Sequence, residues 1–357
     1  MKKFLALFLT LVLTLGVSAC ALADAAEIAL ITDIGTIDDK SFNQGAWEGI
    51  KAYADAKGIS YQYYQPAAQG TEVYLDEIQK AVDNGAKVVV TPGYLFEEPI
   101  YIAQDMYPDV KFILIDGNPH NADYSEYRTN ENAVGIIFKE EESGFLAGYA
   151  AVKDGYTKLG FMGGMAVPAV IRYGYGFAQG AEAAAAEMGL TEVTLNYHYT
   201  GGFAATPEAQ ALAASWYNDG VEAIFGCGGA VGNSVMAAAA ESGKAVIGVD
   251  VDQSPESETV ITSAMKGISE AVEQALAANY DGKFPGGEAW NLGAAEAGVK
   301  LPMETSKFKT FAQADYEAVF AKLVAGEYTL TKDADADGNA VNPDQLPLSI
   351  VKITVVQ

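Results

Sequence analysis

The residues best suited to hold a ligand lie in one stretch near the start of the chain, Thr32-Asp33-Ile34-Gly35-Thr36-Ile37-Asp38-Asp39-Lys40-Ser41-Phe42-Asn43. The stretch carries three carboxylates, hydroxyls, an amide and a phenyl ring. Carboxylates can bind a metal ion, take part in acid–base catalysis or accept hydrogen bonds from sugar hydroxyls. A phenyl ring can stack on a nucleic-acid base. Taken alone, the stretch leaves a metal site, a catalytic cluster and a ligand-binding loop open.

The flanking sequence predicts how this stretch is positioned. The run Ile28–Ile31 before it is short, apolar and rich in β-branched residues, which predicts a strand. After it, Trp47, Ile50 and Tyr53 recur at helical spacing. We therefore predict a strand, a loop and a helix, with Asp33 and Phe42 in the loop. In open α/β sheets, ligands bind at the carboxyl ends of the strands.

The same alternation of strands and helices continues to Asp116 and restarts near Val134, which predicts two α/β lobes with parallel sheets. Elements left over near the carboxyl end indicate that the chain passes between the lobes more than once. We expect a multi-crossing hinge and a ligand cleft between two Rossmann-like lobes. The predicted division is a signal region at 1–20, an N-terminal lobe at 27–132 plus 252–285, and a C-terminal lobe at 133–251 plus 286–357. Residues 291–293 and 299–301 are predicted to be short strands of a meander.

The composition limits the classes of partner. The formal net charge is −25, and half of the residues are hydrophobic. Nucleic acids and anionic membrane surfaces need basic patches, so the acidic balance argues against both. It also disfavours a nucleotide, for which the sequence offers no Gly-x-x-x-x-Gly-Lys loop.

The first twenty residues have the pattern of a targeting segment. Lys2 and Lys3 precede an apolar run from Phe4 to Leu15, which is too short for an ordinary transmembrane helix of about 20 residues. The following Val17-Ser18-Ala19-Cys20 is similar to a bacterial lipobox, in which Cys20 is lipidated and becomes the mature N-terminus. A secretory signal cut after Ala23 is the alternative. Both predict a protein outside the cytoplasm, and the first predicts anchoring on the extracytoplasmic face of the cell membrane.

Three stretches together resemble one known family. They are Asp33-x-Gly35-x-x-Asp38-Asp39-x-Ser41-Phe42-Asn43-Gln44-x-x-Trp47-x-Gly49, the Gly-rich 226–233 followed by Ile247-Gly248-Val249-Asp250-Val251-Asp252-Gln253, and Thr262-Ser263-x-Met265-Lys266. They are similar to motifs of the basic membrane protein family, purine-nucleoside-receptor-like lipoproteins that serve ABC importers. The resemblance implies a type I periplasmic-binding-protein fold, a purine nucleoside as ligand and an ABC transporter permease as partner. It implies no enzyme activity, cofactor or metal.

The resemblance also implies roles for individual residues. Phe42 and Phe203 would sandwich the purine, and Gly228 would let the backbone come close to the ligand. The remaining ligand-binding positions are polar: Asp33, Asn43 and Asp116 as polar partners, and Asp250 and Lys266 at the ribose hydroxyls. For Asp38 and Asp39, capping of the following helix competes with ligand binding.

Two other functions remain open at this point. The Asp33/Asp38/Asp39 loop is similar to the calcium-binding loop of nucleoside hydrolases, Asp-x-Asp-x-Gly-x-Asp-Asp. However, Ile31 replaces the first aspartate and an extra residue follows Gly35. A binding protein of the same fold for a sugar or a signalling molecule is the second alternative, because aromatic rings also stack on sugars. The acidic run at 333–339 is interpreted as a hairpin tip rather than a calcium loop.

Overall fold

The computed structural model describes residues 25–334 and 340–356 of the chain. The predicted signal region at 1–20, with Cys20, and most of the acidic run at 333–339 therefore lie outside the described residues. Within the described ranges, no helix is both long and apolar enough to cross a membrane. The helices are α1 Phe42–Lys57, α2 Thr71–Asp83, α3 Glu97–Met106, α4 Glu140–Lys153, α5 Pro168–Met188, α6 Pro207–Asn218, α7 Val231–Ser242, α8 Ile268–Tyr280 and α9 Gln313–Val324.

The strands form two sheets with the same internal order. They are β1 Ile28–Ile31, β2 Tyr61–Tyr64, β3 Val88–Pro92, β4 Lys111–Ile115, β5 Ala133–Phe138, β6 Lys158–Gly163, β7 Val193–Tyr199, β8 Ala223–Cys227, β9 Ala245–Asp250, β10 Val260–Lys266, β11 Ala289–Leu292, β12 Val299–Lys300 and β13 Val351–Val355. The first sheet has the order β11-β5-β4-β3-β1-β2, and the second β12-β10-β9-β8-β6-β7-β13. The strands pair in parallel, apart from β12, which is antiparallel to β10. The predicted pair of α/β lobes is confirmed.

Each sheet is covered by helices on both faces, as parallel sheets require. In the first lobe, one apolar cluster joins α1 and α8 to the sheet, and a second joins α2 and α3 to the opposite face. In the second lobe, α4, α5 and α9 cover one face and α6 with α7 the other. The inner strands of each sheet are consequently buried, whereas the edge strands β2, β11 and β13 are partly exposed. The carboxyl ends of the parallel strands in each sheet share one edge.

The predicted lobe boundaries are wrong in three places. β5, at 133–138, belongs to the first sheet, β10, at 260–266, to the second, and β11, at 289–292, to the first. The chain therefore crosses between the lobes at 139, at 267 and across 293–298, rather than at the predicted boundaries 132/133, 251/252 and 285/286. Buried strands of a parallel sheet are similar apolar runs, so sequence pattern does not show which of two sheets a run joins.

The predicted meander is also wrong. β11 pairs in parallel with β5 in the first lobe, whereas β12 pairs with β10 in the second, so the two short strands never meet. The last strand, β13, pairs in parallel with β7 at the edge of the second sheet.

Two glycine pairs allow α4 and α5 to pack with their backbones in contact. A Cβ on Gly144 would lie 2.1 Å from the carbonyl oxygen of Tyr173, and one on Gly148 would lie 2.0 Å from that of Phe177. The reciprocal contacts, at Gly176 and Gly180, are equally short. Such four-residue glycine spacing permits a close helix crossing. The crossing fixes the amino-terminal ends of α4 and α5, where several site residues lie.

Gly148→Ala is therefore expected to lower the free energy of unfolding by about 1–3 kcal/mol, because the added methyl group meets backbone that cannot rotate away. Gly232→Ala in α7 is a matched control, since the nearest atom to a Cβ there is 3.7 Å away. Urea unfolding of both variants tests this packing, and equal stability of the two would contradict it.

Candidate functional site

The loop after β1 is held by one of its own carboxylates. The Oδ1 atom of Asp39 accepts the backbone N–H groups of Ser41 (2.9 Å) and Gln44 (3.1 Å), and Oδ2 accepts that of Asn43 (2.9 Å). These N–H groups lie at the start of α1, where no earlier carbonyl can satisfy them. Asp39 therefore caps the helix, and Asp38 is exposed. The sequence left helix capping and ligand binding open for Asp39, and in the structure Asp39 caps α1.

Asp33 and Asn43 lie together, as the prediction places them. The Asn43 amide donates to Asp33 Oδ1 (3.1 Å) and to Asp39 Oδ2 (3.0 Å), and the backbone N–H of Gly35 also donates to Asp33 Oδ1 (2.6 Å). Burial raises the pKa of Asp33, although these donors oppose the shift. Asn43 Oδ1 is buried and accepts no hydrogen bond from residues 25–334 or 340–356. The loop thus presents a fixed amide and a fixed carboxylate beside the carboxyl end of β1.

Asp116 and Asp250 occupy equivalent positions in the two lobes. Asp116 follows β4 directly, and Asp250 ends β9, the corresponding strand of the second sheet. Both have left-handed backbone conformations, with φ of 58° and 65°. This conformation is uncommon for residues other than glycine, and such strain concentrates at binding sites.

Lys266 joins these two carboxylates across the lobes. It is the last residue of β10, is 3% exposed and contacts Asp116 through its ammonium nitrogen. The same nitrogen lies 3.8 Å from Asp250 Oδ1 and 3.4 Å from Glu140 Oε1. It also lies 4.7 Å from the centre of the Phe42 ring, which is half-buried. Four predicted site residues, Phe42, Asp116, Asp250 and Lys266, therefore meet in one cluster.

This cluster holds more buried carboxylates than cations. Burial raises the pKa values of Asp116, Glu140 and Asp250, and attraction to Lys266 only partly offsets it. Burial alone would lower the pKa of Lys266, but its three carboxylate neighbours outweigh burial and raise it. One ammonium thus faces three buried carboxylates, and hydrogen-bond donors from a ligand would relieve that imbalance.

Several residues of the cluster were not predicted as site residues. Glu140, at the first position of α4, is one; others are Ser41, whose hydroxyl donates to Asp250 Oδ2, and Tyr173, whose hydroxyl lies 3.3 Å from Asp250 Oδ1. Glu140 is the first of three consecutive glutamates at a helix start, a pattern that interaction with the helix dipole explains equally well. Its place directly after the lobe crossing is the one signal that distinguishes it.

Phe203 and Gly228 lie together in the second lobe, where a Cβ on Gly228 would lie 3.2 Å from the Phe203 ring. Phe203 is half-buried, and its carbonyl accepts the N–H of Ala230 (3.0 Å). A Cβ on Gly228 would lie 2.7 Å from the backbone nitrogen of Gly164, so close packing against β6 already requires glycine there. Among the described residues, no ring contact joins Phe203 to Phe42. The predicted sandwich stays a prediction.

The cluster predicts an unusual dependence of stability on pH. The pKa values of Asp116, Glu140 and Asp250 are higher in the folded chain than in the unfolded chain. Their protonation therefore favours folding, and this contribution is lost as pH rises through the raised pKa values. The urea midpoint should increase as pH falls from neutral towards the ordinary carboxyl pKa of about 4. Glu140→Gln, which cannot titrate, should flatten the curve, and a midpoint that decreases over this range would contradict the account.

The sequence comparisons with known proteins point to a single family for this chain. The family model for ABC transporter substrate-binding proteins of the PnrA-like type matches residues 26–327. A nucleoside-binding protein of an ABC transporter, BmpA of Lactococcus lactis subsp. cremoris, is 29% identical over 308 residues, which cover 79% of this chain and 84% of BmpA. Basic membrane protein A1 of Borrelia garinii subsp. bavariensis is 32% identical over 279 residues, covering 76% of this chain and 78% of that protein.

Solved structures agree on the fold. An ABC transporter solute-binding protein from Aeropyrum pernix K1 superposes with a TM-score of 0.74 at 24% identity, covering 87% of this chain and 95% of that one. A protein of the same description from Conexibacter woesei has a TM-score of 0.69 at 24% identity, covering 86% and 99%. The fold is therefore the type I periplasmic-binding-protein fold that the resemblance implies.

Proposed function

The chain belongs to the family of PnrA-like substrate-binding proteins of ABC transporters, and on that premise we propose that it captures purine nucleosides between its two lobes and delivers them to a permease. Members of this family bind substrates for transport and are not enzymes, so the hydrolase alternative is set aside. The observation that carries the proposal is the contact of Lys266 with Asp116, Asp250 and the Phe42 ring. It joins acceptors for hydroxyl groups to an aromatic surface.

The chemistry of this cluster suits a nucleoside. Ribose hydroxyls donate hydrogen bonds, and the carboxylates of Asp116 and Asp250 accept them. Lys266 donates to a sugar oxygen while it balances those carboxylates. Phe42 lies beside the ammonium, so that a base attached to the bound sugar would reach its ring. A phosphate group would meet three carboxylates, which favours a nucleoside over a nucleotide.

The remaining predicted residues complete the proposed site. Asp33 and Asn43 would hydrogen-bond the base, and Phe203 would cover its second face after the lobes close. Gly228 would keep the backbone beside Phe203 free of side chains. These roles rest on the positions of the residues at the cleft ends of the strands and on the family.

We also propose that the protein is held at the extracytoplasmic face of the cell membrane through a lipid on Cys20. Support comes from Val17-Ser18-Ala19-Cys20 after the apolar run of residues 4–15. Mass spectrometry of the mature N-terminus tests it: a lipidated Cys20 is expected, and a peptide starting at Asp24 would contradict it.

A thermal-shift panel tests the class of ligand. Inosine, guanosine or adenosine should raise the melting temperature of protein freed of ligand by unfolding and refolding, because a ligand that binds only the folded state stabilises it. Free ribose, glucose and purine 5′-monophosphates are the comparison set. A shift with a sugar and none with nucleosides would instead favour a sugar-binding protein of the same fold.

A further inference from the structure

Arg172 is a partly buried cation near the site that the proposed function does not use. Arg172 lies in the first turns of α5, directly before Tyr173, and its side chain is 21% exposed. Its Nη1 atom lies 3.4 Å from Glu140 Oε2, while Nε and Nη2 lie 2.9 and 2.8 Å from Asp333 Oδ2. The guanidinium thus bridges α4 to the segment that follows α9.

That segment is fastened along α4 and α5 by consecutive residues. Thr331 exchanges two hydrogen bonds of 2.8 Å with the amide of Gln179. The next residue, Lys332, lies 3.2 Å from Glu141, and Asp333 then holds Arg172. The position of the guanidinium is therefore set from outside the cleft.

Glu140 links Arg172 to Lys266 in the proposed cleft. Its side chain is 1% exposed and has one oxygen near Arg172 and the other near Lys266. With both oxygens engaged, the carboxylate has a single orientation, and the Lys266 ammonium has a fixed partner on the second lobe. Without Arg172, Glu140 could rotate and draw Lys266 away from Asp116 and Asp250.

We propose that Arg172, anchored by Asp333, is a positioning residue of the nucleoside site: it orients Glu140 so that Lys266 stays between Asp116 and Asp250. This inference rests on the proposed function. The charged and titratable groups that act on Glu140 come from every element around it. The cations are Arg172 and Lys266, and the other groups are Asp116, Glu141, Tyr173 and Asp250.

The test measures nucleoside affinity against pH for wild type, Arg172→Met and Arg172→Lys. Removing the cation should weaken binding roughly tenfold near neutral pH, and it should move the acid limb of the affinity profile upward by about one pH unit, because Glu140 then takes a proton more readily. Arg172→Lys keeps the charge and should keep the acid limb near its wild-type position. Asp333→Asn should weaken binding without moving that limb.

Arg128→Met is the matched control, since it removes an Arg–Asp pair with Asp105 on the surface of the first lobe. It should leave both affinity and profile unchanged. A wild-type profile in Arg172→Met, or the same limb in the Met and Lys variants, would overturn the inference. If Arg172→Met does not fold, the other two variants decide. A displaced acid limb in Arg172→Lys, or wild-type affinity in Asp333→Asn, would overturn the inference. A wild-type protein that binds no nucleoside would instead overturn the proposed function.

Discussion

Replacing Lys266 by methionine is expected to lower the free energy of unfolding by about 3–5 kcal/mol, because removal of one partner leaves buried charges without compensation. Asp116, Asp250 and Glu140 would keep their burial and lose the ammonium that lies among them. Nucleoside binding should be lost as well, since the acceptors would be protonated or displaced. Chemical unfolding and calorimetry measure the two effects separately.

Lowering the pH should partly rescue the stability of this variant, because protonation relieves the repulsion among the three carboxylates. Lys300→Met is the matched control. Lys300 lies on β12, where it pairs with Met265 of β10, and its exposed ammonium contacts Glu270 (3.0 Å). Exposed pairs contribute little, so this control should unfold like the wild type. A Lys266→Met variant as stable as Lys300→Met would show that the cluster does not depend on its ammonium.

Phe42→Ala is expected to weaken nucleoside binding by about 1–3 kcal/mol, the usual contribution of stacking to one base. The ring is half-buried and lies at the first position of α1, so the fold should persist. Because the ring also contacts the Lys266 ammonium at 4.7 Å, truncation removes a cation–π contact in addition.

Two substitutions separate these contributions to binding by calorimetry. Phe42→Tyr keeps both aromatic faces and should bind nearly as the wild type does, whereas Phe42→Leu keeps volume without a π system and should resemble the alanine variant. Affinity that is indifferent to all three substitutions would remove Phe42 from the site.

The residues that the sequence predicts well are those at strand ends. Asp116 and Asp250 each follow an apolar β-branched run, and the carboxyl edge of a parallel sheet is where such residues gather. Lys266 was placed through the family resemblance alone, because a single lysine after an apolar run is otherwise an ordinary surface residue. Its burial and its contacts with Asp116 and Asp250 became visible only with the two lobes in place.

Residues that depend on contacts between elements distant in sequence could not be predicted. Glu140 and Arg172 lie on different helices, and only the backbone contact of α4 with α5 brings them within reach of one another. The assignment of β5 and β10 to lobes failed because both are largely buried strands at points where the chain changes sheets, and local sequence does not show which sheet such a strand joins.

The central claim, that the cleft binds purine nucleosides, is tested most directly by isothermal titration calorimetry of ligand-stripped protein with inosine, guanosine and adenosine. We predict one-to-one binding of at least one of them, with heat that disappears in Lys266→Met and decreases in Phe42→Ala. No binding of any of the three to correctly refolded wild-type protein would contradict the claim.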